Sequence, residues 1–257
     1  MLKVERVSKS YRTGMFGAKT VPVLRDISFA AAHGACVALI GESGCGKSTL
    51  ARLLLGLERP NTGTILCNGR RVTGKGAKRR NLYRSIQPVF QDSGGCLNPR
   101  MKIRDCICEP LRNYYALPPE EEKKKLAELL LQVELPVNAA DKYPHELSGG
   151  QQKRVCLARA VSIKPELLIL DEAVTGLDAT ITKRILELLK RLQQEVGCGM
   201  FFITHDLQIA LYMAQHILVM KDGEIVEQVH NAATVRDFTH PYSQKLFQSS
   251  LQTCSKV

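Results

Sequence analysis

The stretch with the most chemistry in it is Gly41-Glu42-Ser43-Gly44-Cys45-Gly46-Lys47-Ser48-Thr49. Gly41, Gly46, Lys47 and Ser48 occupy the four fixed places of G-x-x-x-x-G-K-[ST]. Glycines let a backbone wrap around a triphosphate with its N–H groups turned inward. A helix starting at Lys47 adds about half a positive charge at its first turn. Lys47 is expected to reach the β- and γ-phosphates and Ser48 to hold Mg²⁺, with Ser43, Gly44, Cys45 and Thr49 completing the cradle. Cys45 lies at a helix start, where a thiol pKa tends to fall. Alkylation there is expected to block nucleotide binding and nucleotide to protect; an inert small residue is the alternative reading.

A second cluster follows Leu167-Leu168-Ile169-Leu170. Four apolar residues read as a buried strand, which leaves Asp171 at its carboxyl end, where ligands sit in open α/β sheets. Asp171 is expected in the Mg²⁺ shell, and Glu172 is placed to address a water at the γ-phosphate. Alone, an Asp-Glu pair after a strand would read as a helix cap. A third cluster is Leu147-Ser148-Gly149-Gly150-Gln151, a helix start with a serine cap and two glycines, and so a second anion cradle. Two phosphate-binding ends and one nucleotide make sense if two chains face each other head to tail.

The elements that must position these groups are legible in outline. Leu2 to Val7 alternates like a half-buried strand, and Ala35 to Ile40 is a continuous apolar run like a buried one. Lys47 to Leu57 continues at helical period. Residues 92 to about 163 turn mostly helical, with Pro118-Pro119-Glu120-Glu121-Glu122 as a helix start. Strands return at Leu167 to Leu170, Met200 to Thr204 and Ile217 to Met220. A helix from Ala179 to Glu195 stops at Gly197, and Lys221-Asp222-Gly223 turns a hairpin. Strands alternating with helices imply a largely parallel sheet.

Composition narrows the class. With 44% hydrophobic and 24% charged residues the chain reads as globular, and no apolar run approaches the ~20 residues needed to cross a bilayer. Met1-Leu2-Lys3-Val4-Glu5 is too charged for a signal peptide, so a cytosolic location is expected. The nine cysteines are scattered through apolar segments and read as reduced thiols; Cys106 and Cys108 lack the second pair that zinc spacing needs. The net charge is +11, and seven basic residues fall from Arg70 to Arg84. A solvated loop is the first reading there, lipid head groups the second, and nucleic acid the third, since aromatics do not interleave in the way single-strand binders use.

Taken in order, these motifs resemble the ATP-binding subunits of the ABC (ATP-binding cassette) transporter family over nearly the whole chain. Leu147 to Gln151 matches the family signature LSGGQ. The resemblance implies further roles: Tyr11 stacks on adenine, and Gln91 bridges Mg²⁺ and the membrane-coupling region. Asp178, in Gly176-Leu177-Asp178, belongs to the D-loop, and His205 senses the γ-phosphate. Taken singly, these four read as a packed aromatic, a surface amide, a helix cap and a strand-end histidine. Ala173-Val174 and Gly176 depart from the commonest residues after the catalytic glutamate without removing a ligand.

The implied fold is α/β, a P-loop NTPase core with a mixed, largely parallel sheet and an inserted α-helical subdomain. The core is expected over 1–91 and 163–230, the helical subdomain over 92–162, and a tail over 231–257. The implied activity is ATP hydrolysis driving solute import, with ATP and Mg²⁺ as cofactors. The implied partners are a second ATPase subunit (itself or a sibling), two transmembrane permease subunits and an external solute-binding protein, at the cytoplasmic face of the inner membrane. No nucleic acid is expected. Phe90-Gln91-Asp92-Ser93, Leu97-Asn98-Pro99-Arg100, Glu109-Pro110-Leu111 and His240-Pro241-Tyr242-Ser243 resemble the peptide/nickel importer branch, and its nickel-import ATPases most. Dipeptide or oligopeptide import is the alternative. A soluble family member acting on nucleic acid or ribosomes is the rival of another class.

Overall fold

The computed structural model describes residues 1–13, 19–72, 77–91 and 93–254. Most of the glycine-containing loop read at 14–19, Lys75 of the basic segment, and Asp92 lie outside the described residues. In chain order the elements are β1 (Leu2–Thr13), β2 (Lys19–Ala31), β3 (Cys36–Gly41), α1 (Lys47–Leu54), β4 (Thr62–Cys67), β5 (Arg70–Arg71), α2 (Ala77–Ser85) and β6 (Ile86–Val89). Then come α3 (Ser93–Cys96), α4 (Ile103–Tyr114), α5 (Pro119–Gln132), α6 (Gly149–Val161), β7 (Leu167–Asp171), α7 (Ala179–Val196), β8 (Gly199–Ile203), α8 (Leu207–Met213), β9 (His216–Lys221), β10 (Glu224–His230) and α9 (Pro241–Cys254). The chain forms two compact units, one of residues 1–82 and 199–257 and one of residues 83–198. This division differs from the expected one: β6 and β7 group with the helical segment.

In the first unit, β2, β1, β4 and β5 form an antiparallel layer. Leu2, Val4 and Val7 are its buried residues on β1. The alternation slips by one because Arg6 takes a left-handed backbone (φ 49°) at a register shift, a bulge that turns Val7 inward in its place. A second layer pairs β3 in parallel with β8 and β9, and β10 antiparallel with β9. Every residue of β3 and β8 is buried, as their unbroken apolar composition requires. The hairpin from β9 to β10 turns on Asp222 and Gly223, both at positive φ (48° and 83°). Helix α1 is shorter than the sequence period suggests. It ends at Leu54 because Gly56 turns left-handed (φ 65°) against Val72, where a Cβ would lie 2.5 Å from a carbonyl oxygen.

In the second unit, β6 and β7 pair in parallel. Helix α5 begins at the expected proline and buries Leu126, Leu129 and Leu130. Helix α7 buries Ile185, Leu186, Leu188, Leu189 and Leu192 on one stripe and stops at Gly197 (φ 70°), as expected. The basic segment is not wholly a loop: Arg70 and Arg71 form β5, and Ala77 to Ser85 are helical. No disulfide joins the cysteines from Cys36 to Cys198, and burial pushes the Cys108, Cys156 and Cys198 thiols up to about 11. No cluster of metal-ligating side chains occurs among the described residues.

Candidate functional site

The phosphate loop joins β3 to α1 in the first unit. Gly41 ends β3 under the Met220 carbonyl of β9, where a Cβ would lie 2.3 Å from that oxygen. Gly46 holds φ 114° against Val23 and Leu24, and Gly44 (φ 83°) faces open space. Each glycine therefore meets a need that a side chain would violate, by crowding or by backbone strain. Lys47 is buried, and its ammonium donates to the carbonyls of Gly41 and Glu42, 2.7 Å each. These bonds close the loop around the Lys47 cation. Ser48 is exposed and Thr49 buried in the first turn of α1.

Cys45 corrects an expectation. It is 8% exposed, and burial pushes its thiol up; the adjacent Lys47 ammonium pulls the other way and is outweighed. Loss of water around the thiolate here outweighs the effects that lower a thiol pKa at a helix start. Cys45 should therefore resist iodoacetamide near neutral pH in the folded protein and label fully once denatured. Mass spectrometry showing rapid labelling of the native chain would contradict this.

His205 lies just past β8. The parallel register pairs Leu39 with Ile203, and the Thr204 N–H donates to the Leu39 carbonyl at 3.2 Å. That puts His205, which is exposed, at the same sheet end as the phosphate loop. Asp206 fixes the turn by capping α8 at Gln208 and Ile209. Tyr11, on β1, is half-buried. Its hydroxyl donates to Glu58 at 2.6 Å, and the Lys9 ammonium stands 5.0 Å over its ring. Burial opposes ionisation of Glu58 most strongly, yet Tyr11 and Lys9 together hold its carboxyl below the usual range.

In sequence the C-terminal segment marks only a resemblance to one branch of the family, and the structure brings it to the loop that carries Glu42. A cleft of about 560 Å³ is lined by Glu42, Lys221, His240, Tyr242 and Lys245. Gly223 donates its N–H to the Cys45 carbonyl at 3.0 Å. The loop is thus held from outside by the β9–β10 turn. A glycine after Asp222 signalled the turn, but nothing local signalled what it touches.

The second unit carries the other groups. Ser148 caps α6: its hydroxyl accepts from the Gln151 N–H, and the Gln151 side chain accepts from the Ser148 N–H. Leu147 and Gly150 are buried, while Ser148 and Gly149 are exposed. A side chain added at Gly149 would meet nothing within 4 Å, so the helix tip faces open space. Gly150 packs on Ile181 in the first turn of α7. Asp178 caps that same turn by accepting from the Ile181 N–H at 2.9 Å, so the plain cap reading of Asp178 is realised. Asp171 ends β7 half-buried. Glu172 follows with a left-handed backbone (φ 48°), uncommon for a residue with a Cβ and invisible in the sequence. Gln91 is exposed just after β6.

A glycine-wrapped lysine loop, a strand-end Asp-Glu pair and an open serine-capped helix tip define a nucleotide-hydrolysing cassette. The family model described as ABC transporter matches residues 24–175. The chain belongs to the ABC transporter family, as an ATP-binding, ATP-hydrolysing member with an α/β P-loop NTPase fold. It is similar to the nickel import ATP-binding protein NikE of Escherichia coli O6:K15:H31 (strain 536 / UPEC), 45% identical over 88% of this chain and 86% of that protein. The NikE of Brucella suis biovar 1 (strain 1330) is 42% identical over 98% of this chain and 95% of that one. Among solved structures, the dimeric bacterial ABC transporter cassette MJ0796 has a TM-score of 0.81 at 29% identity, covering 91% of this chain and 100% of that one. CbiO1 from Clostridium perfringens, part of the ABC transporter complex cbiONQ, also has a TM-score of 0.81 at 29% identity, covering 96% and 98%. No helix among the described residues is long and apolar enough to cross a membrane.

Proposed function

We propose that this chain powers import of nickel, free or chelated, as one of two ATPase subunits at the cytoplasmic face of the inner membrane. The observation that carries the two-chain part is the exposure of Ser148 and Gly149 on a chain that holds its own phosphate loop. A helix tip built for an anion and open to solvent suits the nucleotide of a facing copy or sibling. Nickel as cargo is supported by the similarity to nickel import ATP-binding proteins over 86–95% of their length. Two permease subunits and an external solute-binding protein complete the assembly in this reading. Residues 92–162 form its coupling subdomain, set in a core of 1–91 and 163–230 and followed by a tail from 231.

In this mechanism Tyr11 supports the base and the Gly41–Thr49 backbone wraps the phosphates. Lys47 neutralises charge on the β- and γ-phosphates. Ser148 and the Gly149 and Gly150 amides meet the γ-phosphate held by the other subunit. Preorganised donors around a phosphoryl group account for most of the available catalysis. Glu172 orients and polarises the attacking water, His205 holds the γ-phosphate end, and Asp178 borders the subunit contact. Ser48, Gln91 and Asp171 are all oxygen donors, the set that suits Mg²⁺. Mg²⁺, when bound there, supplies further charge neutralisation at the phosphates. Gln91 carries the motion of the helical segment to the membrane partners.

The test is purification of the chain with its membrane partners, reconstitution, and ATPase measurement with the solute-binding protein and candidate cargo. Stimulation by nickel or its chelates is expected. Stimulation by dipeptides alone would replace the cargo. Stimulation by DNA or ribosomes without any membrane partner would replace the class.

A further inference from the structure

Helix α6 does more than present Ser148 and Gly149. One turn inside it, Lys153 is 3% exposed. Its ammonium donates to the backbone carbonyls of Phe90 and Gln91, 2.8 Å each. A buried ammonium is costly unless hydrogen-bonded, and charge-assisted bonds are about twice as strong as neutral ones. The segment just past β6 is therefore bound to α6 by a full charge. Farther along the same helix, Arg159 donates to the Cys96 carbonyl at 2.8 Å. Phe90 and Gln91 on one side and Cys96 on the other are thus each held by a cation of one helix. The Gln91 residue itself stays exposed. Its backbone carbonyl is held while the residue remains accessible.

We propose that Lys153 is a positioning residue for hydrolysis: it ties the Gln91 backbone to the signature helix, so that the Gln91 amide and the Ser148–Gly150 tip move as one body. This rests on the reading of Gln91 as a group that answers to the bound nucleotide. A lysine has the reach and the donors to hold two adjacent carbonyls. A methionine has the length and neither donor. The loop that binds the phosphates is made by other residues, so binding and turnover should separate.

In the purified complex, Lys153→Met should lower kcat by about ten- to a hundredfold, the size expected when a positioned group drifts by an ångström. KM for ATP should change by less than about twofold, the split that marks a contribution to turnover and not to binding. Lys153→Arg, which keeps the charge and several donors, should restore most of the activity. A merely structural lysine would lower the melting temperature and the active fraction without that split. The decisive measurement is a double-mutant cycle with Gln91→Ala: on that background Lys153→Met should cost almost nothing further. If Gln91→Ala leaves turnover unchanged, the reading of Gln91 falls. If Gln91→Ala lowers turnover but the Lys153→Met loss is absent or adds in full, the Lys153 inference falls. Should Lys153→Met not fold, Lys153→Gln enters the same cycle with the same criteria.

Discussion

Glu172→Gln should bind ATP with near-normal affinity, lose about 10²–10⁴-fold in turnover, and accumulate as a nucleotide-bound pair of subunits. Glutamine keeps the size of the side chain and one acceptor oxygen but cannot take a proton from water. Glu and Gln carry the same Cβ and Cγ, so the left-handed backbone at 172 (φ 48°) is no more strained in the variant, which should keep the local fold. The phosphate loop lies elsewhere in the chain and is untouched, which is why binding should survive. Once ATP is bound and not cleaved, the charge that holds two subunits together is not removed. Size-exclusion chromatography with ATP, set beside a phosphate-release assay, reads both halves. Hydrolysis near the wild-type rate would take Glu172 out of the mechanism.

Lys47→Met is the second large effect, and it should fall on binding and turnover together. The Lys47 ammonium does two jobs. It donates to the Gly41 and Glu42 carbonyls at 2.7 Å each, and it is the cation nearest the expected phosphates. Methionine fills the same volume with neither charge nor donor. Two loop carbonyls then lose their partner, which should loosen the cradle before nucleotide arrives. Loss of one preorganised donor to a developing charge costs about 10²–10³-fold in kcat. The expected result is weak ATP binding by calorimetry and turnover at background. A variant that binds ATP as well as the parent and fails only in turnover would show that the lysine serves the transition state alone. The contrast with Glu172→Gln is the useful one: one variant should trap the nucleotide-bound pair and the other should prevent it from forming.

Much of the site was legible before the fold. Gly41, Gly46, Lys47 and Ser48 are local requirements, since a phosphate loop needs particular backbone angles and a helix start at fixed spacing. Ser148 announced its cap because N-caps favour short polar side chains, and Gln151 three residues later closed the capping box. Gly197 and the Asp222-Gly223 pair announced the end of α7 and the β9–β10 hairpin for the same kind of reason. The misread features depended on distant residues. The basic segment looked like a solvated loop because charge suggests exposure, yet Arg70 and Arg71 pair with β4. Helix α1 was extended to Leu57 because periodicity does not register the close approach of Val72 to Gly56.

The glycine-lysine loop, the order of its companion motifs and the family were readable from residue types at fixed local spacing. Folding was needed to reveal that Cys45 is shielded, that Glu172 sits on a left-handed backbone, that Tyr242 lines a cleft with Glu42, and that Lys153 is turned inward onto Phe90 and Gln91. The two groups differ in the range of the forces involved. Backbone angles and caps are settled within a few residues. Burial and the partner of a charge are settled by whatever the fold brings alongside, and for Lys153 that partner lies more than sixty residues away along the chain.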